Sequence, residues 1–170
     1  MIKVLRLGHR TGRDDRVSTH VGLTARQWGA DEIIYSGEKD DSMMESLEDI
    51  INRWGGEIDI GYEKDFHPVI DNFDGIKVHL TMYGENINKK ETEIKSNIDE
   101  EDLLIIVGAE KVPRSVYKKV NYNISVGNQP HSEIAALAVF MDRIGNIKQE
   151  FEGCEIRIRP SENKKLTEKP

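Results

Sequence analysis

A continuous apolar run in the second half of the chain most constrains its fold. Residues 103–107 read Leu-Leu-Ile-Ile-Val, with no polar position among them. A strand with one face in water alternates apolar and polar residues, whereas an unbroken run of this length is typical of a parallel strand covered on both faces. Strand patterns and helical patterns alternate along the rest of the chain and are joined by short turns. The sequence therefore predicts an α/β fold, a parallel sheet flanked by helices.

The predicted strands and helices fill one domain, residues 1–170, without an internal linker. Strands are predicted at 2–7, 32–35, 58–62, 77–82, 102–107 and 123–126, and helices at 20–28, 40–54, 86–96, 113–120 and 133–141. Residues 8–18 and 64–75 are predicted to be loops, because polar residues, glycine and proline are concentrated there. Residues 154–159 alternate like an edge strand, and the tail at 160–170 is predicted to be mobile.

Bulk features exclude several classes of protein. One cysteine, Cys154, allows no disulfide within the chain and is typical of a reducing compartment. The N-terminus has no apolar segment of secretory length, and the apolar run at 134–141 is far shorter than the ~20 residues of a membrane helix. These features predict a cytoplasmic protein without a membrane segment.

Charge is distributed unevenly along a chain whose net charge is −7. Residues 1–30 contain six lysines and arginines against Asp14 and Asp15, whereas residues 31–65 contain twelve acids against three basic residues. Because polyanion binding depends on the local patch, the basic N-terminal part is a candidate nucleic-acid contact. A solvated loop with arginines paired to Asp14 and Asp15 explains the same pattern, and the charges alone do not separate these readings.

Three turns of unusual composition follow predicted strands. They are residues 80–84, 107–113 and 126–133, and each contains a glycine (Gly84, Gly108 and Gly127), at which a backbone can approach a ligand closely. Ligands of open α/β sheets bind beyond the carboxyl ends of the strands, so these turns predict a binding site. The third turn, Gly-Asn-Gln-Pro-His-Ser, has more polar groups than the cap of its helix needs.

The chemistry of these turns excludes the common phosphate-binding sites. The sequence contains neither a Gly-x-x-x-x-Gly-Lys-[Ser/Thr] loop nor a Gly-x-Gly-x-x-Gly loop after a strand. Backbone groups in apolar turns instead favour a purine and an amino-acid moiety. Five histidines and one cysteine form no recognised ligand pattern, so no metal is expected. Arg26, which follows Leu23 on a partly buried helix, is either a functional cation or an ordinary arginine whose stem packs on Trp28.

Four segments together resemble a known class of enzymes. HVGLTARQWGA (20–30), LIIVGAEKVP (104–113) and VGNQPHSEIAALA (126–138) are similar to the three motifs of the SpoU-TrmD (SPOUT) class of RNA methyltransferases. With LRLGHRTGRDDRVSTHVGLTAR (5–26) and HLTMYG (79–84), they resemble the archaeal family of tRNA 2′-O-methyltransferases that act on cytidine 56 of the T-loop. The resemblance extends to about Arg159.

The resemblance implies a fold, a cofactor and partners. It implies a deep trefoil knot at about residues 76–145, a homodimer with its active site at the subunit interface, and methyl transfer from S-adenosylmethionine to a tRNA ribose. Arg26 matches the catalytic arginine of the class, with His20 in place of an asparagine. Because guanidinium keeps its proton, we expect Arg26 to stabilise charge or bind a phosphate and not to act as a base. Arg6, Arg10, Arg13 and Arg16 are expected to bind the tRNA backbone.

The resemblance also implies a set of residues that contact the cofactor. They are Leu80, Gly108, Ala109, Glu110, Lys111, Val112, Val126, Gly127, Asn128, Gln129, Pro130, His131, Ser132 and Glu133. The wider class has Ser-Leu-Asn where this chain has Gln129-Pro130-His131, so the roles of that serine and asparagine do not transfer. A non-catalytic RNA-binding module, a methyltransferase for another RNA and a nucleotide-dependent metabolic enzyme remain alternatives.

Overall fold

Six parallel strands form the central sheet of the protein. The computed structural model describes residues 1–98, 101–108, 111–145 and 151–170. The strands are β1 (Ile2–His9), β2 (Glu32–Gly37), β3 (Asp59–Tyr62), β4 (Ile76–Asn86), β5 (Leu103–Val107) and β6 (Tyr122–Ser125). Their order in the sheet is β3-β2-β1-β5-β4-β6. The predicted parallel α/β sheet is confirmed.

Helices cover both faces of this sheet. They are α1 (Asp15–Gln27), α2 (Asp41–Trp54), α3 (Phe66–Asn72), α4 (Ile87–Ile98), α5 (Arg114–Lys119) and α6 (Glu133–Ile144). The core beneath α1, α2, α4 and α6 contains Ile105 and Val107 of β5, while the core beneath α3 and α5 contains Leu104 and Ile106. Alternate residues of the apolar run therefore fill two cores, which explains why the run has no polar position. None of the helices in the described ranges is long and apolar enough to cross a membrane.

Short polar residues and glycines define the ends of the two helices that matter most for the site. The Asp40 carboxylate accepts a hydrogen bond from the Met43 amide at 2.9 Å and so caps α2. The Ser132 hydroxyl does the same for α6, by accepting from the Ala135 amide at 3.2 Å. Gly55 and Gly145 follow the two helices with φ of 73° and 92°, a region that side chains avoid.

Four parts of the chain differ from the sequence-based expectation. The predicted turn at 80–84, called the first turn below, lies inside β4, at a bulge where the pairing with β6 shifts register between Leu80 and Glu85. Helix α1 begins at Asp15, five residues before the predicted start, so the loop after β1 is short. Helix α3 lies in the predicted loop at 64–75; Asp65 caps it, and Pro68 is in its first turn, where proline leaves no helical hydrogen bond unmade. The predicted edge strand at 154–159 is reduced to β7 (Arg157–Arg159), which pairs with β8 (Leu166–Glu168) and not with the main sheet.

Candidate functional site

A cavity of about 480 Å³ opens at the carboxyl edge of the sheet, beyond β4, β5 and β6. Its walls contain residues from all three glycine-bearing turns, because these strands are neighbours in the sheet. The volume lies within the roughly 300–1,000 Å³ of small-molecule sites. The lining residues are His79, Leu80, Thr81, Met82, Tyr83, Val107, Gly108, Lys111, Val112, Tyr117, Ile124, Val126, Pro130, His131, Ser132, Glu133 and Ala136.

Hydrogen bonds hold the third turn against the first. The Asn128 side-chain amide donates to the carbonyl oxygens of Met82 and Gly84, at 2.8 and 3.1 Å. The His131 Nδ1 donates to the Ser132 carbonyl oxygen at 3.0 Å, and this contact leaves Nε2 as the acceptor of a neutral ring. Part of the polar surplus before α6 therefore fixes the turn itself, while His131 also lines the cavity.

Two of the three glycines lie where a side chain does not fit. A Cβ on Gly84 would lie 2.6 Å from the backbone carbonyl of Asn123, so glycine lets β4 and β6 approach closely. A Cβ on Gly108 would clash with the Val112 side chain, which lines the cavity beside it. A Cβ on Gly127 would meet no atom of the described residues within 4 Å, so packing against them does not require a glycine at this position.

A buried histidine forms the floor of the cavity. His79 is fully buried, and the Asn123 side-chain oxygen accepts a hydrogen bond from its Nδ1 at 2.9 Å; the Asn123 amide donates in turn to the Tyr117 carbonyl. The His79 Nε2 has no partner within the described part of the chain. Burial lowers the pKa of His79 below its ordinary value, because the charged ring would lose its hydration. Tyr117 packs edge-on against this ring, and its hydroxyl is 3.1 Å from that of Thr81.

The cavity includes most of the cofactor contacts that the resemblance implied. Leu80, Gly108, Lys111, Val112, Val126, Pro130, His131, Ser132 and Glu133 line it. Gly127, Asn128 and Gln129 belong to the third turn but do not line the cavity, since Asn128 is directed to the backbone of the first turn. Ala109 and Glu110 lie outside the described residues.

Several lining residues lie outside the set of cofactor contacts that the resemblance implied. Thr81, Met82 and Tyr83 belong to the predicted turn at 80–84, whereas His79 of β4 and Tyr117 of α5 were not predicted. His79 precedes a turn that the sequence singled out, so its polar side chain in a buried strand was a signal that could have been used. Tyr117 has no such signal, because only the packing of α5 against the sheet brings it to this edge.

Arg6 corrects the expectation of an RNA contact. Its side chain is 1% exposed and points into the core, where its Nη2 lies 3.1 Å from a carboxylate oxygen of Glu133. Its Nη1 donates to the Leu7 carbonyl oxygen, and its Nε has no partner within the described part of the chain. Burial lowers the pKa of Arg6, while Glu133 and Asp14 oppose that shift. A tRNA phosphate cannot reach this guanidinium, so Arg6 is a core residue beside the cavity.

The remaining arginines of the predicted contact lie at the carboxyl end of β1, beside β5. Arg13 and Arg16 are exposed. Arg10 is half-buried and binds the Asp14 carboxylate with two nitrogens, at 2.9 and 3.2 Å. The pKa of Asp14 is lowered, mainly by this contact. The segment 10–16, which leads into α1, is therefore at the same edge of the sheet as the cavity, and Arg10 in it is paired with Asp14.

Arg26 lies away from the cavity of its own chain. It is near the end of α1, which runs back from the carboxyl edge of the sheet towards its amino edge. Its Nε donates to the Gly55 carbonyl oxygen at 2.7 Å, and its Nη2 donates to the Trp54 carbonyl oxygen at 3.1 Å. The guanidinium also lies 4.1 Å from the centre of the Phe151 ring. These contacts stabilise the C-terminus of α2, where a cation is favoured.

One group of side chains has ligand atoms close enough for a metal ion within the described ranges. His9, Asp15 and Asp40 lie together at the end of β1. The His9 Nδ1 is 2.8 Å from the Ser18 hydroxyl, and its Nε2 is 3.3 Å from an Asp40 oxygen. Both ring nitrogens thus have protein partners, and Asp40 also caps α2, so this geometry has an explanation without an ion.

Comparison with known proteins identifies the family. A sequence model of the family described as tRNA ribose 2′-O-methyltransferase, aTrm56, matches residues 54–168. The tRNA (cytidine(56)-2′-O)-methyltransferase of Pyrococcus horikoshii is 51% identical over 173 residues, which cover 99% of this chain and 85% of that protein. The protein of the same name from Methanocaldococcus jannaschii is 50% identical, over 98% of this chain and 95% of its own length. This chain belongs to the aTrm56 family.

Solved structures of more distant proteins share its fold. A TrmH-family RNA methyltransferase from Porphyromonas gingivalis matches with a TM-score of 0.62 and 12% identity, over 84% of this chain and 58% of that one. The SpoU methyltransferase AviRb from Streptomyces viridochromogenes, solved with AdoMet, matches with a TM-score of 0.59 and 11% identity, over 85% and 56% of the two chains. The parallel sheet of this aTrm56 family member is thus of the SPOUT type.

Membership in the aTrm56 family confirms the class predicted from the motifs, a tRNA ribose 2′-O-methyltransferase. It gives the cavity a chemical context, because the three turns around it are segments on which the resemblance was based. It does not by itself assign a role to any single residue. The contacts described above decide which roles are physically open to each residue.

Proposed function

We propose that this protein transfers a methyl group from S-adenosylmethionine to the ribose 2′-hydroxyl of cytidine 56 in the T-loop of tRNA, in the cytoplasm. The observation that carries the proposal is the cavity formed by three turns in a chain of the aTrm56 family, at the edge of the sheet where the basic segment 10–16 also lies. The relatives at 50–51% identity carry that activity in their names.

The side chains of the cavity fit a nucleoside joined to an amino acid. Leu80, Val107, Val112, Ile124 and Ala136 form apolar walls that suit a purine ring. Polar side chains among the lining residues, including Thr81, Ser132 and Glu133, suit the polar groups of a nucleoside and an amino acid.

The bound cofactor would supply a methyl group on a positively charged sulfur. Transfer forms the O–CH₃ bond, breaks the S–CH₃ bond and releases the hydroxyl proton, so sulfur ends as a neutral thioether. The protein has to hold the acceptor oxygen in line with that bond, and positioning of this kind supplies up to about 7–11 kcal/mol in favourable cases.

His131 is the side chain we propose for the released proton. It lines the cavity, and its Nδ1 donates to the Ser132 carbonyl oxygen, so the neutral ring has its lone pair on Nε2. A neutral imidazole accepts a proton, whereas the guanidinium of Arg26 does not. Arg13 and Arg16 would bind the tRNA backbone, and Arg10 would do so after exchanging Asp14 for a phosphate.

We further propose the knot at about residues 76–145 and the homodimer that the SPOUT resemblance implies. A knot needs two segments to cross closely. In support, Ile124 of β6 is opposite both Leu80 and Glu85 of β4, and Asn128 binds the backbone of the bulge between them. A homodimer would add a second basic loop, and a chemical role for Arg26 would need it to come from the partner. Its contacts to Trp54 and Gly55 favour a structural role instead.

The test is tritium transfer from labelled S-adenosylmethionine into tRNA transcripts. We expect incorporation into a transcript with cytidine at position 56 and none into a matched transcript with 2′-deoxycytidine there. Equal incorporation into both would refute the site of transfer and indicate another RNA position. RNA binding without any incorporation would favour the non-catalytic module, and turnover without tRNA would favour a metabolic enzyme.

A further inference from the structure

Glu133 puts a negative charge in the wall of the cavity. It is the first residue of α6, and its side chain is 25% exposed. Glu133 is the one carboxylate among the described residues that line the cavity. The amino end of a helix stabilises an anion, and this carboxylate lies there.

Arg6 holds this carboxylate from behind. The Arg6 guanidinium, 1% exposed, contacts one Glu133 oxygen at 3.1 Å and is itself bound to the Leu7 carbonyl oxygen. Because β1 lies in the middle of the sheet and Arg6 is opposite Val107, this cation has a fixed backbone beneath the cavity. Of the two charges, only the carboxylate is accessible to a ligand. The pair therefore presents its negative end to the cavity.

We infer that Glu133, positioned by Arg6, recognises positive charge on the methyl donor and so determines which nucleosides the cavity accepts. The inference rests on the proposed use of S-adenosylmethionine, which carries a sulfonium and an ammonium group. The product S-adenosylhomocysteine keeps the ammonium alone, and methylthioadenosine has neither charge. A carboxylate aimed at the ligand separates these three, whereas a merely structural glutamate affects them equally.

The test is a titration of each of the three ligands into the wild type and Glu133→Gln. Glutamine keeps the size of the side chain and removes the charge. A charge-assisted contact contributes about tenfold or more to affinity, so we expect Glu133→Gln to weaken S-adenosylmethionine about tenfold and methylthioadenosine less than twofold. Whether S-adenosylhomocysteine follows the donor or the neutral ligand tells which cation is recognised, and both results support the inference.

Glu85→Gln is the matched control. Glu85 is an exposed carboxylate on β4 that does not line the cavity, and its replacement changes the net charge by the same amount. We expect its three affinities to match the wild type. Equal weakening of all three ligands by Glu133→Gln, or no weakening of any, would overturn the inference.

Arg6 is tested by its own pair of variants. Arg6→Lys keeps a cation and should retain most of the preference for the charged donor, whereas Arg6→Gln should lose it. The thermal midpoint shows which variants are folded. If Arg6→Gln does not fold, the double variant Arg6→Lys with Glu133→Gln replaces it. If Arg6 acts through Glu133, adding Arg6→Lys to Glu133→Gln should not reduce the preference further, because the effects of coupled residues are not additive. The positioning role would be overturned if folded Arg6→Gln kept the full preference for S-adenosylmethionine over methylthioadenosine. It would also be overturned if the double variant showed a smaller preference than Glu133→Gln alone. Failure of the wild type to bind S-adenosylmethionine would instead refute the proposed function.

Discussion

Replacing Arg26 by alanine separates two roles that the sequence left open. In the structural role, the guanidinium fastens the end of α2 to the end of α1 through Trp54, Gly55 and Phe151. In the chemical role, the guanidinium of one chain acts on the substrate in the cavity of a partner chain. The two roles predict opposite effects on stability and on turnover.

The contacts of Arg26 give the size of the expected change. A hydrogen bond that involves a charged group contributes about 1.5–3 kcal/mol, and a partly desolvated cation over an aromatic ring adds about 1 kcal/mol. We expect Arg26→Ala to lower the free energy of unfolding by about 3 kcal/mol. Arg26 is only 7% exposed, and the contributions of its neighbouring contacts overlap, so they are not summed in full. For a domain of this size, that loss lowers the thermal midpoint by about 6–12 °C.

Thermal denaturation and methyl transfer well below the midpoint are measured on the same preparations. We expect Arg26→Ala to melt at least 6 °C lower and to keep turnover within about threefold of the wild type, on the order of 0.7 kcal/mol. Arg53→Ala is the control, because Arg53 is an exposed arginine on α2 and surface changes usually stay within about 0.5 kcal/mol. An unchanged midpoint with lost turnover would refute the structural reading and return Arg26 to the chemistry.

Three further changes test individual contacts. Gly84→Ala should lower the free energy of unfolding by about 1–3 kcal/mol, because its methyl group would meet the Asn123 backbone; chemical denaturation checks this, and wild-type stability would contradict the close approach. Burial lowers the pKa of His79, so the neutral ring contributes fully to the free energy of unfolding above the ordinary pKa of about 6.5, and this contribution is lost as the pH falls below that value. The free energy of unfolding of the wild type should therefore fall by up to about 1.4 kcal/mol per pH unit there, and that of His79→Gln by less. Equal slopes would contradict the neutral buried ring. His131→Gln should lower the single-turnover rate about 10²-fold or more while cofactor affinity stays within a few-fold, and an unchanged rate would remove His131 from proton transfer.

The central sheet was predictable because its signal is local. The unbroken apolar run at 103–107 identified the buried strand, and its alternate residues indeed fill two cores. The three turns were expected to meet because the carboxyl ends of parallel strands share an edge. For the same reason, nine of the residues that the resemblance assigned to the cofactor line one cavity.

Pairings between distant residues were not predictable. Arg6 and Glu133 are 127 positions apart, so a sequence that shows an arginine among other arginines favours a surface role for it. The contacts of Arg26 were not predictable for the same reason, since its partners Trp54 and Gly55 lie at the end of the next helix. Helix α3 was missed because Pro68 reads as a loop residue, although the first turn of a helix tolerates it.

The claim that the three turns form the cofactor site is tested most directly by calorimetric titration of S-adenosylmethionine into Gly108→Ala and Gly127→Ala. The first substitution would collide with the Val112 side chain and force this lining residue to move, while the second adds a methyl group that meets no described atom within 4 Å. We predict that Gly108→Ala weakens binding about tenfold or more, a change of about 1.4 kcal/mol, and that Gly127→Ala binds as the wild type does. Wild-type affinity in folded Gly108→Ala would contradict the assignment of the cavity.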